Sequence, residues 1–130
     1  MKSLLPPGWP RPKGYANGVA ARGRLVVTAG VIGWNEREEL VAADLAGQFR
    51  QVLLNTLFIL AQDGAGPEHI VRMTWYVTDL NEYRNSLAEI GAAYRELIGR
   101  HFPAMAVVGV TGLVEPAARI EIETIAVVPE

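Results

Sequence analysis

The chain has 130 residues, half of them apolar and a fifth charged, which fits one compact domain able to bury a core of its own. With 12 basic and 14 acidic residues its formal charge is -2, so nothing global attracts it to nucleic acid or to an anionic membrane. It contains no cysteine, which excludes disulfides, thiol nucleophiles and thiolate metal sites, and its two histidines lack ligand spacing, so no metal site is expected.

The amino terminus lacks the continuous apolar stretch of a signal peptide, and no run reaches the ~18 apolar residues of a membrane span. A cytoplasmic protein without membrane partners is expected. From Leu4 to Pro12 there are four prolines, a glycine and Trp9, so residues 1–13 read as an extended arm, with Trp9 packing it down. Residues Arg24 to Val31 are apolar and rich in β-branched types between Gly23 and Gly33, the pattern of a buried strand. Val19 to Ala21 are expected to pair with it as a hairpin across Arg22-Gly23. The Trp34 to Glu39 run reads as a polar loop from which Trp34 could close over a ligand.

Asp44 is a plausible N-cap, after which Leu45, Phe49, Val52, Leu53, Thr56, Ile59 and Leu60 recur at helical steps up to Gly64. Ala65-Gly66-Pro67 is a turn. Ile70 to Thr78 predict a strand with Val71, Met73, Trp75 and Val77 on one face. From Asn81 helical spacing returns through Tyr83, Leu87, Ile90, Tyr94, Leu97 and Ile98, closed by Gly99 and Pro103. Strands over Ala104 to Val110 and Ala118 to Val128 complete the chain. The order β-β-α-β-α-β-β describes one α+β domain over 1–130, with two helices on one face of a mixed sheet. Leu25, Val26, Val27, Val107, Val108 and Ile125 to Val128 make strands apolar on both alternations, so the second sheet face needs cover from other subunits.

The pieces Tyr15-Ala16-Asn17-Gly18-Val19, Val26-Val27-Thr28-Ala29-Gly30, Gln48 to Asn55, Asp63-Gly64-Ala65-Gly66, His69 to Asp79, Phe102-Pro103-Ala104 and Ile120 to Ala126 are weak singly. In this order and spacing, from Tyr15 to Val128, the chain resembles the RidA (YjgF) superfamily. The resemblance implies a chorismate-mutase-like fold and a homotrimer whose sheets form a central barrel, with ligand clefts between neighbours. It also implies cofactor-independent hydrolysis of reactive enamines and imines, such as 2-aminoacrylate, to a keto acid and ammonia.

At the positions that match the family's site, Tyr15 is the site tyrosine, Gly30 the backbone donor and Glu121 the glutamate thought to orient the water. Met105 stands where the carboxylate-binding arginine belongs, Gly91 where an asparagine is usual and Ala29 where a serine is common. A thioether cannot form the bidentate pair that a guanidinium makes with a carboxylate, so a larger or less acidic ligand is expected. Several segments, Arg72 to Asp79 and Ala92 to Ala106 among them, are most similar to the branch labelled 2-aminomuconate deaminase.

The residues themselves leave alternatives. Glu121 and Glu123 share a strand face, as a general base and its neighbour or as a solvated pair. Tyr15 donates to substrate or caps the core. Gly30 offers its N–H to a ligand or relieves a bulge. Arg72 and Arg119 are the candidate replacement cations, while Arg95 and Arg100 read as solvated helix residues. His101 could exchange protons near neutral pH or serve as a loop residue. Arg11, Lys13, Arg22 and Arg24 form a small basic cluster without an aromatic platform for nucleic acid. The leading expectation is an enamine/imine deaminase-type hydrolase; the alternative is a non-catalytic trimer that binds a small molecule or a partner protein.

Overall fold

A computed structural model describes all residues, 1–130. The strands and helices are β1 (Lys2–Ser3), β2 (Val19–Ala20), β3 (Arg24–Val27), α1 (Leu45–Ala61), β4 (Ile70–Val77), α2 (Leu80–Asn85), α3 (Leu87–Leu97), β5 (Ala104–Gly109) and β6 (Ile120–Val128). Four of the strands form one mixed sheet in the order β3-β6-β4-β5. β6 runs antiparallel to both β3 and β4, whereas β4 and β5 are parallel. A parallel pair needs a crossover, which α2 and α3 supply between β4 and β5.

α1 begins where the sequence places it. Asp44 accepts a hydrogen bond from Gly47 N, and Glu82 Oε2 accepts one from Leu45 N at 3.2 Å, so two orphan donors of the first turn find partners. Phe49, Val52, Leu53 and Leu60 of α1 are fully buried, as are Met73, Val77, Ile120, Ile122 and Ala126 of the sheet. Ile90, Ala93 and Tyr94 of α3 complete this single core. Burial of each such Leu, Ile or Phe side chain is worth about 1.5–3 kcal/mol, which is what holds both helices to one sheet face.

Five expectations are corrected. The strand read as buried over Arg24 to Val31 ends at Val27, and with no helix on its outer face it leaves Leu25 and Val27 exposed. Val19–Ala20 pairs with Lys2–Ser3 and not with β3, so the arm closes a two-stranded ribbon of its own. Trp9 is 60% exposed and does not pack the arm down. The second helix is two: the chain leaves helical geometry at Ser86 (φ -109°, ψ 10°), a residue type that favours helix ends. Leu80, at the start of α2, presses on Gly109 at the end of β5, while α3 packs on the core. On β4 a register shift between Ile70 and Arg72 puts Ile70 inward and leaves Val71 half-buried, so the inward row is Ile70, Met73, Trp75 and Val77.

The opposite sheet face carries no helix. Leu25 (65% exposed), Val27 (58%) and Val108 (40%) stand on it as open apolar surface, together with the polar Arg72, Thr74, Tyr76, Glu121 and Glu123.

Candidate functional site

The expected site residues gather in two separate depressions. The first, of about 620 Å³, has Ala29, Gly30, Trp34 and Glu121 in its lining. The second, of about 590 Å³, has Tyr15, Gly91 and Met105. Arg72 and Arg119 line neither.

A strand irregularity builds the first. Thr28 N donates to Thr124 O at 2.9 Å, and Val31 and Ile122 exchange backbone hydrogen bonds at 2.8 and 2.9 Å. Three steps along this strand therefore face two along β6, and the extra residue pushes Ala29-Gly30 out of the ladder. Thr28 Oγ1 closes the bulge by donating to Ala29 O at 2.8 Å and accepting from Thr124 N at 3.1 Å. The backbone N–H groups of Ala29 and Gly30 find no acceptor within the chain. Gly30 thus sits in a bulge with its N–H unpartnered.

Glu121 stands directly against it. A Cβ built at Gly30 would lie 2.3 Å from Glu121 Oε2, so glycine here is a matter of space. Glu121 makes no ion pair within the chain, and a carboxylate beside unpaired backbone donors is left free to hold a small polar molecule. Glu123, on the same face, accepts from Tyr76 Oη at 2.5 Å, and that hydrogen bond raises the tyrosine above its ordinary pKa. The glutamate pair is therefore divided, with Glu123 engaged and Glu121 open.

Two residues that entered only as part of a family motif, and not as site candidates, hold this geometry. Asn55 Nδ2 donates to Trp34 O at 2.7 Å and Ile32 O at 3.2 Å, and its Oδ1 accepts from Gln51 Nε2 at 2.8 Å. The segment after the bulge is thereby tied to α1 as well as to β6. The signal was present in the sequence as two amides four residues apart in a largely apolar helix. The loop beyond Trp34 is a tight turn in which Asn35 Oδ1 accepts from Arg37 N and Glu39 N, and Trp34 bridges to Leu40.

The second depression lies on the helix side of the sheet. Met105 is in register with the fully buried Met73, so it faces the helices. Ala16 bridges Ala104 and donates to Pro103 O at 3.0 Å, which holds Tyr15 beside the start of β5. Trp75, Tyr83, Tyr94 and Phe102 make the walls aromatic, with Tyr94 and Phe102 stacked at 6.0 Å. Burial pushes the phenols of Tyr83 and Tyr94 above their ordinary pKa. Tyr94 Oη donates to His101 O at 2.6 Å, and His101 Nε2 donates to Ile70 O at 2.6 Å. His101 is thus tied up in joining the α3–β5 turn to β4.

Of the candidate cations, Arg119 is bound to Glu82 at 2.8 Å and to Ala43 O at 2.8 Å, where it clamps β6 to the base of α1. Arg72 stands exposed on the helix-free face, across the ladder from Ile125. Glu121 and Met105 lie on opposite faces of the sheet with β4 between their strands, so one chain does not bring the two groups of expected site residues together.

Comparison with known proteins agrees with this architecture. Residues 10–128 match the family profile described as Endoribonuclease L-PSP. A 2-iminobutanoate/2-iminopropanoate deaminase of Escherichia coli K12 is 37% identical over 116 residues, which is 87% of this chain and 86% of that protein. Among solved structures, YyfB of Yersinia pestis, a Rid-family protein of unknown function, superimposes with a TM-score of 0.85 at 32% identity, covering 98% of each chain. The YjgF gene product of E. coli does so with a TM-score of 0.69 at 35% identity, again over 98% of each chain. The expected chorismate-mutase-like α+β fold is therefore present, and the chain belongs to the Endoribonuclease L-PSP family, the Rid or YjgF family.

Proposed function

We propose that the protein hydrolyses the C=N bond of a reactive imine, or of the imine tautomer of an enamine, and releases ammonia without a cofactor. The observation that carries this reading is the free Glu121 carboxylate held against Gly30, beside two backbone N–H groups that have no partner. The imine deaminase activity named for the E. coli relative supports the same chemistry.

Such a site does little covalent work. A water hydrogen-bonded to Glu121 gives the carboxylate a proton as its oxygen attacks the imine carbon, and the π pair moves to nitrogen, which takes that proton from Glu121 and leaves the carboxylate ionised again. The resulting carbinolamine collapses: its hydroxyl proton returns through Glu121 to the nitrogen, the C–N bond breaks, and ammonia leaves behind a carbonyl. The N–H groups of Ala29 and Gly30 hold a substrate oxygen during these steps. Three copies, with their helix-free faces turned inward, set the Glu121 edge of one chain against the Tyr15–Met105 pocket of the next, and the substrate occupies the cleft between them.

Met105 disfavours a small α-imino acid and leaves an extended enamine such as 2-aminomuconate as the better fit. The expected result is accelerated ammonia release from freshly generated 2-aminomuconate, with 2-aminoacrylate a poor substrate and spontaneous decay subtracted. Glu121→Gln should lower kcat by about 10²-fold or more. Met105, Gly91 and Ala29, which together remove three polar side chains from the family pattern, favour a second reading, a trimer that only binds its ligand. Saturable binding with no Glu121-dependent ammonia release would establish that reading in place of the first.

A further inference from the structure

α3 presents Leu87, Gly91 and Arg95 to the Tyr15 depression, each four residues from the last and so in one row on one face of the helix. Helical side chains lean toward the helix N-terminus, which carries Arg95 back over position 91. Because that position is a glycine, the guanidinium lies down on the helix surface: a Cβ built at Gly91 would be 3.3 Å from Arg95 Nη1. A larger residue there would lift it away.

The guanidinium has no partner. The ion pairs of the molecule are made by Arg24, Arg37, Arg50, His69 and Arg119, and the acid next to Arg95, Glu96, is already paired with Arg50. Lys13, contributed by the arm, lines the same depression and is also unpaired. Both cations adjoin a concave surface of about 590 Å³ whose other lining includes Tyr15, Trp75, Tyr83, Tyr94, Phe102 and Met105. An unpaired guanidinium beside an aromatic wall suits a carboxylate carried on a planar apolar body: the charge is met by a forked hydrogen bond, and the body stacks on the rings.

We propose that Arg95, laid down by Gly91, is the carboxylate-binding residue of this protein, and that the Tyr15–Met105 pocket selects an acid with a large planar side chain. The departures at 91 and 105 then belong together. Methionine leaves the strand position without a cation and lines the pocket, while glycine opens the groove in which a helix cation replaces the missing anchor. That the bound acid is an imine rests on the deaminase reading above; the pocket's preference for an apolar acid does not.

Calorimetric titration of the purified protein with phenylpyruvate, the oxygen analogue of an aromatic imino acid, tests the assignment against pyruvate, which lacks the ring, and phenylacetone, which lacks the carboxylate. Phenylpyruvate is expected to bind at least about tenfold more tightly than either. Arg95→Gln and Gly91→Asn should each weaken it by about tenfold or more, and Arg95→Lys by less. Arg100→Gln, which removes a cation just beyond the same helix and outside the pocket, should change it by less than about twofold. Phenylpyruvate binding that is no tighter than that of pyruvate, or that is indifferent to Arg95→Gln, overturns the proposal. Arg95-dependent binding without ammonia release from the aromatic imino acid, generated in situ from phenylalanine, upholds this pocket and removes the deaminase reading instead. Turnover of small imines with no affinity for phenylpyruvate does the reverse.

Discussion

Gly30 shows how much one missing side chain can decide. Its backbone dihedrals are open to any residue, so alanine fits the chain conformation, but the added methyl would lie 2.3 Å from Glu121 Oε2 and 2.7 Å from its Cδ. The carboxylate must then swing out or the bulge must shift. Gly30→Ala is expected to leave the folded state nearly as stable as before and to lower kcat/KM by about 10²-fold, the scale on which small misplacements of a reacting group act. Paired thermal melts and ammonia-release assays check both halves; unchanged kcat/KM would mean that Glu121 does not work from this position. The sequence singled out Gly30 and Glu121 separately. Their contact is a property of strand pairing across more than ninety residues, which no local pattern carries.

At the scale of elements, α1 is both the main support of the core and the brace of the site. Gln48 is fully buried in it: Nε2 donates to Ala42 O at 3.0 Å and Ala117 O at 3.1 Å, and Oε1 accepts from Arg119 N at 2.7 Å. One amide thus satisfies three backbone groups from the two segments that flank the helix base. Gln48→Leu keeps the side chain's bulk but orphans all three, which should cost about 3 kcal/mol or more. Gln62→Leu, at an exposed hydrogen bond near the other end, should stay within about 0.5 kcal/mol. Urea midpoints at one fixed protein concentration check the pair, and equal costs would remove the bracing role. Helix α1 was legible from Asp44 to Gly64 because caps and three- and four-residue steps are local. The break at Ser86 was not, since the apolar steps run straight across it and only packing decides where the two short helices part.

For the whole molecule the decisive feature is the helix-free sheet face. Leu25, Val27 and Val108 expose apolar surface there, while Glu121 and Met105 lie on opposite faces of the sheet in any single chain. The trimer proposed above answers both facts by packing copies face to face. Val27→Glu is expected to leave the isolated chain folded, because the position is already 58% exposed, and to prevent assembly by placing charges on an apolar contact. Light scattering coupled to size exclusion should then give the mass of one chain, 14.1 kDa, in place of three, with turnover lost in parallel. A trimer that survives Val27→Glu would place the contact elsewhere.

The sequence by itself determined the order of the four main-sheet strands and the helical segments between them, the α+β class, the helix cap at Asp44 and the family, because each rests on near neighbours or on short motifs in a fixed order. Alternation also announced that the strands were apolar on both faces. Only the tertiary structure decided which segments pair and which side chains meet: Val19–Ala20 with the arm and not with β3, Glu121 with Gly30, and Arg95 with the space left at Gly91. Those outcomes depend on strand register and on volumes contributed by distant parts of the chain. A local pattern places a residue on a face but does not say what comes to rest against it.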